Sequence, residues 1–138
     1  MYILDGVGVY EDPDTSKRPI TKGCVFFLHP GVWHCFDPQP GTVWTEYWML
    51  FDGDWAQKMY GELIPKTERV FDIGVIEELV EAYEQLHDLW YLNTPAPYEH
   101  INYLCHKILA EIHLAINQVS LRRKDELIHK AKNRMRRV

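Results

Sequence analysis

Apolar runs in this sequence stay well short of the roughly 18 residues that a membrane-spanning helix requires. The opening MYILDGVGVYEDP also lacks the basic segment and long apolar core of a secretory signal, so a cytoplasmic, non-membrane protein is expected. Cysteine is scarce. Cys24, Cys35 and Cys105 are odd in number and never spaced CxxC, which argues against a disulfide framework or a thiolate zinc site and leaves buried reduced thiols as the plain reading. There is no HxH pair, no HExxH, no Gly-rich phosphate loop and no nucleophile-base signature. Catalysis therefore has little support in the sequence, and no cofactor or metal is expected.

What is present is enough for one folded domain. The 138 residues are 46% hydrophobic and 13% aromatic, a composition that buries a core rather than remaining disordered. Charge is divided unevenly. The first 120 residues hold seven Lys/Arg against eighteen Asp/Glu, a balance of −11, whereas residues 121–138 hold eight basic residues against Asp125 and Glu126, a balance of +6. An acidic body with a basic tail points to a polyanion partner for the tail or to a solvated helix face. The apolar positions Leu127, Ile128, Ala131 and Met135 give that tail a helical pattern.

Two regimes meet near residue 72. Before it, short apolar runs alternate with turn chemistry at Asp5-Gly6, the Glu11 to Lys17 loop, Pro30-Gly31, Pro38 to Gly41 and Asp52-Gly53-Asp54, the pattern of a small β-sandwich or barrel. In GCVFFLHPGVWH, residues 23–34, the strand Val25 to Leu28 ends at a Pro-Gly corner. The next strand starts near Val32, and its alternation puts His34 and Phe36 on one face and Cys35 on the other. After residue 72 the period becomes helical. Ile76, Leu79, Val80, Tyr83, Leu86 and Trp90 form one stripe, and after the loop Asn93 to Pro97 a second helix, Glu99 to Val119, carries Ile101, Leu104, Cys105, Ile108, Leu109, Ile112 and Ile116.

Three segments, LDGVGVY at residues 4–10, KGCVFFLHPGVWHCF at 22–36 and WTEYWMLFDG at 44–53, resemble in order and spacing the sensor half of AraC-type transcriptional regulators. The resemblance implies an α+β fold: a small cupin-type (double-stranded β-helix) barrel followed by an antiparallel helical hairpin. It divides the chain into an effector-binding barrel at 1–72, a hairpin for dimerisation at 73–120, and a basic helical linker at 121–138. The tail ELIHKAKNRMRRV resembles the linker and opening helix of the family's helix-turn-helix DNA-binding domain, so the chain is expected to be a sensor fragment that reaches DNA through a domain lying outside it.

On the segment Trp44 to Phe51, strand parity puts Trp44, Glu46, Trp48 and Leu50 on one face and Thr45, Tyr47, Met49 and Phe51 on the other. Resemblance to sugar-responsive regulators places Asp5, His34, Phe36 and Trp48 inside the barrel, and Glu46 shares the Trp48 face. An indole beside carboxylates and an imidazole suits a carbohydrate or another small polar ring. Plain core is the alternative for Trp48 and Phe36. A metal-dependent cupin enzyme is the rival function, resting on His29 and His34 with Asp5 and Glu46 as extra ligands, although a transition metal usually needs about three protein ligands from one pocket. A third reading is an interaction module that homodimerises through Leu104, Ile108 and Ile112, for which core packing within one subunit is the alternative.

Overall fold

The computed structural model describes residues 1–64, 66, 68–92 and 95–136. Along the chain run β1 (Tyr2–Asp5), β2 (Gly8–Glu11), β3 (Arg18–Ile20), β4 (Cys24–Phe26), β5 (Cys35–Pro38), β6 (Thr45–Tyr47), α1 (Asp54–Leu63), β7 (Val70–Asp72), α2 (Glu77–Tyr91) and α3 (Tyr98–Met135). The fold is mixed α+β, with every strand pairing antiparallel. One sheet has the order β6-β1-β4-β7 and the other β3-β2-β5.

The four-stranded sheet is apolar on both faces. Tyr2, Val25 and Phe71 lie side by side in the ladder and pack on Leu79, Ala82 and Tyr83 of α2 and on Ile108, Ile112 and Ile116 of α3. Their neighbours Ile3, Cys24, Phe26 and Val70 turn the other way and meet Tyr10 and Ile20 of the second sheet, with Phe36 and Trp44 against the cluster. Period-two alternation thus feeds two cores from three strands. Each large side chain so buried contributes about 1.5–3 kcal/mol.

Tyr2 also ties the sheet to the helices. Its hydroxyl donates to the Gly74 carbonyl and accepts from the Ile76 N–H, both at 2.9 Å, at the entry to α2. Gly23 makes the adjoining contact possible. At φ +88° its α-carbon lies against Gly74, and a Cβ there would stand 2.6 Å from the Gly74 α-carbon.

A buried ion pair closes the far side of the sheets. Asp12 Oδ2 accepts from the Tyr10 hydroxyl (2.7 Å) and from Arg69 Nη1, while Oδ1 accepts the N–H groups of Asp14 (2.9 Å) and Thr15 (2.6 Å). Arg69 Nη2 donates in turn to Asp14 at 3.0 Å. Burial would raise the Asp12 pKa, but these hydrogen bonds outweigh it and bring it down to about 2.

The structure departs from the sequence expectations in several elements. The strand expected over Val25 to Leu28 ends at Phe26, and that over Trp44 to Phe51 ends at Tyr47. Helix α1 lies inside the region expected to be all strand. Trp90, expected on the buried stripe of α2, is 84% exposed. Helix α3, expected over Glu99 to Val119, is 38 residues long and runs through residue 120 without a break, so the expected boundary between hairpin and linker is not marked in the backbone. Its residues 120–136 are all exposed, as a solvated basic segment would be. Asn93 and Thr94 of the expected loop, and Arg137 and Val138 of the basic tail, lie outside the described residues.

Leu104, Ile108 and Ile112, expected at a dimer surface, are buried inside the chain instead. Ile108 and Ile112 pack on Tyr2, Val25 and Phe71 of the sheet, so the stripe is spent on the chain's own core and is closed to a second copy.

Because the Asp12 pKa is lowered on folding, its contribution is complete above its ordinary value of 3.8 and is lost as pH falls towards about 2. A shift of this size corresponds to about 2 kcal/mol. Urea denaturation followed against pH should show this acid limb flattened in Asp12→Asn. Arg69→Met, which strands the carboxylate, should cost about 3–5 kcal/mol at neutral pH. An Arg69→Met variant as stable as the parent would show that the pair does not hold the sheets.

Candidate functional site

A cavity of about 500 Å³ opens where the two sheets, α1 and the helical layer come together. Val25, Phe26, Phe27 and Leu28 from β4 and its extension form one wall, and Phe36 of β5 another. Glu46, Trp48, Met49, Leu50, Phe51 and Asp52 come from β6 and the segment after it. Ala56, Gln57 and Tyr60 of α1 lie on the rim, while Tyr83 of α2 and Leu109 and Ile112 of α3 close the helical side. The lining is largely apolar, with a few polar groups among many rings, as in most small-molecule sites.

Register explains how Glu46 enters. It stands opposite Ile3, whose side chain joins the core between the sheets, and directly opposed residues share a face. Tyr47, opposite Tyr2, points the other way and stacks on Tyr83 at 5.1 Å. The expected parity therefore holds for Trp44, Glu46 and Tyr47. Beyond Tyr47 the strand has ended, and Trp48 and Leu50 line the cavity together with Met49 and Phe51, which parity had assigned to the opposite face.

Of the five expected ligand residues the structure brings three, Phe36, Glu46 and Trp48, to the cavity wall. Asp5 is not among the lining residues. It is the exposed end of β1, paired with Thr45, because the ladder shifts register after Ile3 and its side chain turns to solvent. His34 is also outside the lining. Its Nδ1 lies 3.0 Å from the Val32 carbonyl, and its ring stacks on Phe36 at 6.0 Å, extending outward an aromatic row of Phe36, Trp44 and Phe26. His34 and Phe36 thus share a face as expected, but only Phe36 reaches the cavity.

The family model for an AraC-like ligand binding domain matches residues 1–129. The chain belongs to this family. No curated protein and no solved structure gives a match.

An AraC-like domain is regulatory rather than catalytic, and its chemistry is that of holding a ligand. Among the described residues no group of three or more His, Cys, Asp or Glu side chains is placed to hold a metal ion. Asp5, His34 and Glu46 are therefore not assembled as a ligand set. No described helix is long and apolar enough to cross a membrane.

Sequence reasoning missed the contribution of α1 to this AraC-like site. The segment begins after Gly53, whose φ of +106° turns the chain, and Asp54 suits the positive end of the helix. Ala56, Tyr60 and Ile64 then recur every four residues and turn inward, a period that was legible but hidden behind the Asp52-Gly53-Asp54 turn signal. Tyr60 sits with its hydroxyl 2.7 Å from His29 Nε2 and its ring 4.8 Å from the imidazole. Burial pushes the Tyr60 phenol up to about 12, and burial together with the Arg69 charge lowers the His29 pKa, so both groups are neutral at physiological pH. This neutral pair fixes α1 against the loop after β4.

One carboxylate oxygen stands out. Glu46 Oε2 is buried and has no hydrogen-bond partner. The terminal amine of Met1, which also lines the cavity, donates instead to the Phe26 carbonyl at 3.1 Å. Burial lowers its pKa to about 6 against the opposing pull of Glu46.

Wall residues and core residues should separate by stability. Trp48→Ala, at a residue 60% exposed, should leave the unfolding free energy from urea denaturation within about 0.5 kcal/mol of the parent, whereas Phe26→Ala should cost about 3–5 kcal/mol. Equal losses at both would make Trp48 a core residue and remove it from the site.

Proposed function

We propose that this AraC-like domain senses a small-molecule effector in the cavity between its sheets and helices, and that occupancy is passed to an attached DNA-binding domain through α3. The observation that carries the reading is the position of α3. Leu109 and Ile112 form part of the cavity wall, and the same helix continues unbroken to Met135 through the basic segment. An effector touching Leu109 and Ile112 acts on the packed part of an element whose residues 120–136 are exposed and open to a partner. For that contact to switch anything, the effector must bind two arrangements of α3 with different affinity.

The two antiparallel sheets facing one core are consistent with a cupin-type barrel, and the packing of α2 on α3 with the hairpin. A cytoplasmic location follows from the same reading. The carbohydrate effector suggested by the residues has weaker support, since two of its three polar partners, Asp5 and His34, stand outside the cavity lining. What supports a small molecule of more apolar character is the wall itself, built mostly from rings and aliphatic chains.

The homodimer moves to another surface. Leu114, Leu121, Ile128 and Met135 are each more than half exposed and follow one another at seven-residue steps along α3. That spacing sets them on one helix face, where a second copy would bury them. Leu121→Glu with Ile128→Glu should halve the mass in sedimentation equilibrium without lowering the melting temperature. An unchanged mass would remove this face as the dimer contact.

The effector reading is tested by a thermal-shift screen against monosaccharides, sugar acids and small amphiphiles. A ligand at about a hundred times its dissociation constant should add about 2.7 kcal/mol of stability. The same ligand should alter amide exchange in α3 beyond Ile116. A ligand that stabilises the fold yet leaves α3 exchange unchanged would sink transmission through this helix.

A further inference from the structure

The electrostatics of the cavity are one-sided. Glu46 and Asp52 line it, and among its described lining residues none is Lys, Arg or His. The Met1 amine, which also lines it, donates to the Phe26 carbonyl at 3.1 Å rather than to Glu46, and burial lowers its pKa to about 6 against the pull of Glu46. Glu46 Oε2 therefore presents a buried acceptor with nothing to accept from. An unpaired buried carboxylate oxygen is costly, and a group that brings both a donor and a positive charge relieves that cost more fully than a neutral donor does. The same cavity is lined by Phe36, Trp48, Phe51 and Tyr60, and aromatic faces favour a cation over an anion or a neutral polyol.

From this we infer that the effector is a protonated organic amine with an apolar body, its ammonium N–H donating to Glu46 Oε2 and its body lying against the aromatic wall. The inference rests on the effector function proposed above and names the ligand class for that same cavity. It differs from the carbohydrate expectation in a specific way. A sugar offers many hydroxyls to a wall with few polar groups, whereas an amphiphilic amine matches one acceptor and an extended apolar surface.

The test uses the chain with two matched series, tryptamine, tryptophol and indoleacetate, then octylamine, octanol and octanoate, in calorimetry and thermal shift. Each amine should bind at least about tenfold tighter than its alcohol, with the carboxylate weakest, since a charge-assisted bond to a buried acceptor exceeds a neutral one. Glu46→Gln should erase the amine preference while leaving the alcohols within about twofold, and it should raise the melting temperature of the unliganded protein because the uncompensated charge is gone. Alcohols or carboxylates binding as tightly as amines, or an amine preference that survives in Glu46→Gln, would overturn the inference. Stabilisation by a monosaccharide with no response to any amine would overturn it and leave the effector function standing. If neither series, nor sugars, nor the apolar dye Nile red enters the cavity, the effector function falls as well.

Discussion

The structure depends on one sheet that has to be apolar on both sides. In β1, β4 and β7 successive side chains serve opposite cores, Tyr2, Val25 and Phe71 towards the helices and Ile3, Phe26 and Val70 towards the second sheet. A slip of one residue in any of these ladders would exchange the two sets. Register is therefore strongly specified, and Tyr2 reinforces it by bonding through its hydroxyl to the backbone on both sides of the turn into α2. The close passage of Gly23 against Gly74 lets the sheet and that turn approach to backbone distance.

The cavity forms where this order runs out. β4 ends at Phe26 and β6 at Tyr47, and the chain beyond each is free of the alternation that a strand imposes. That freedom lets Trp48, Met49, Leu50 and Phe51 all reach the cavity, and lets α1 cross its rim instead of another strand. A site built this way touches both sheets and all three helices. It is placed to couple ligand contacts to α3, because α3 shares its wall and extends far beyond the core.

Two carboxylates show the difference between a structural and a poised group. Asp12 receives four donors, including an arginine, and is held ionised by them. Glu46 has a buried oxygen that receives none. Both positions are acidic residues with little exposed surface, and composition does not tell them apart. The Asp12 cluster required Arg69, distant in sequence, to arrive beside it, whereas no cation of the described side chains arrives beside Glu46.

Much of the architecture was legible because it is periodic. The change from short turn-bounded runs to helical stripes near residue 72, the shared face of His34 and Phe36, and the shared face of Trp44 and Glu46 all follow from periods of 2 and 3.6, which act through local geometry alone. Phe36, Glu46 and Trp48 were reached from residue type, resemblance and parity. Other features are not local. Asp5 lost its place because a ladder shift at Ile3 turned it outward, whereas Met49 and Phe51 joined Trp48 and Leu50 at the cavity because their strand stopped short. Leu104, Ile108 and Ile112 carry the same apolar pattern for a core as for a dimer, and only tertiary packing decided between them, with the sheet covering Ile108 and Ile112. The sequence by itself determined the alternations, the glycine turns and the charge division of the chain, since these depend on neighbouring residues. The tertiary structure decided which carboxylate found a partner, which stripe was covered and where the cavity opened, since each requires residues far apart in sequence to meet.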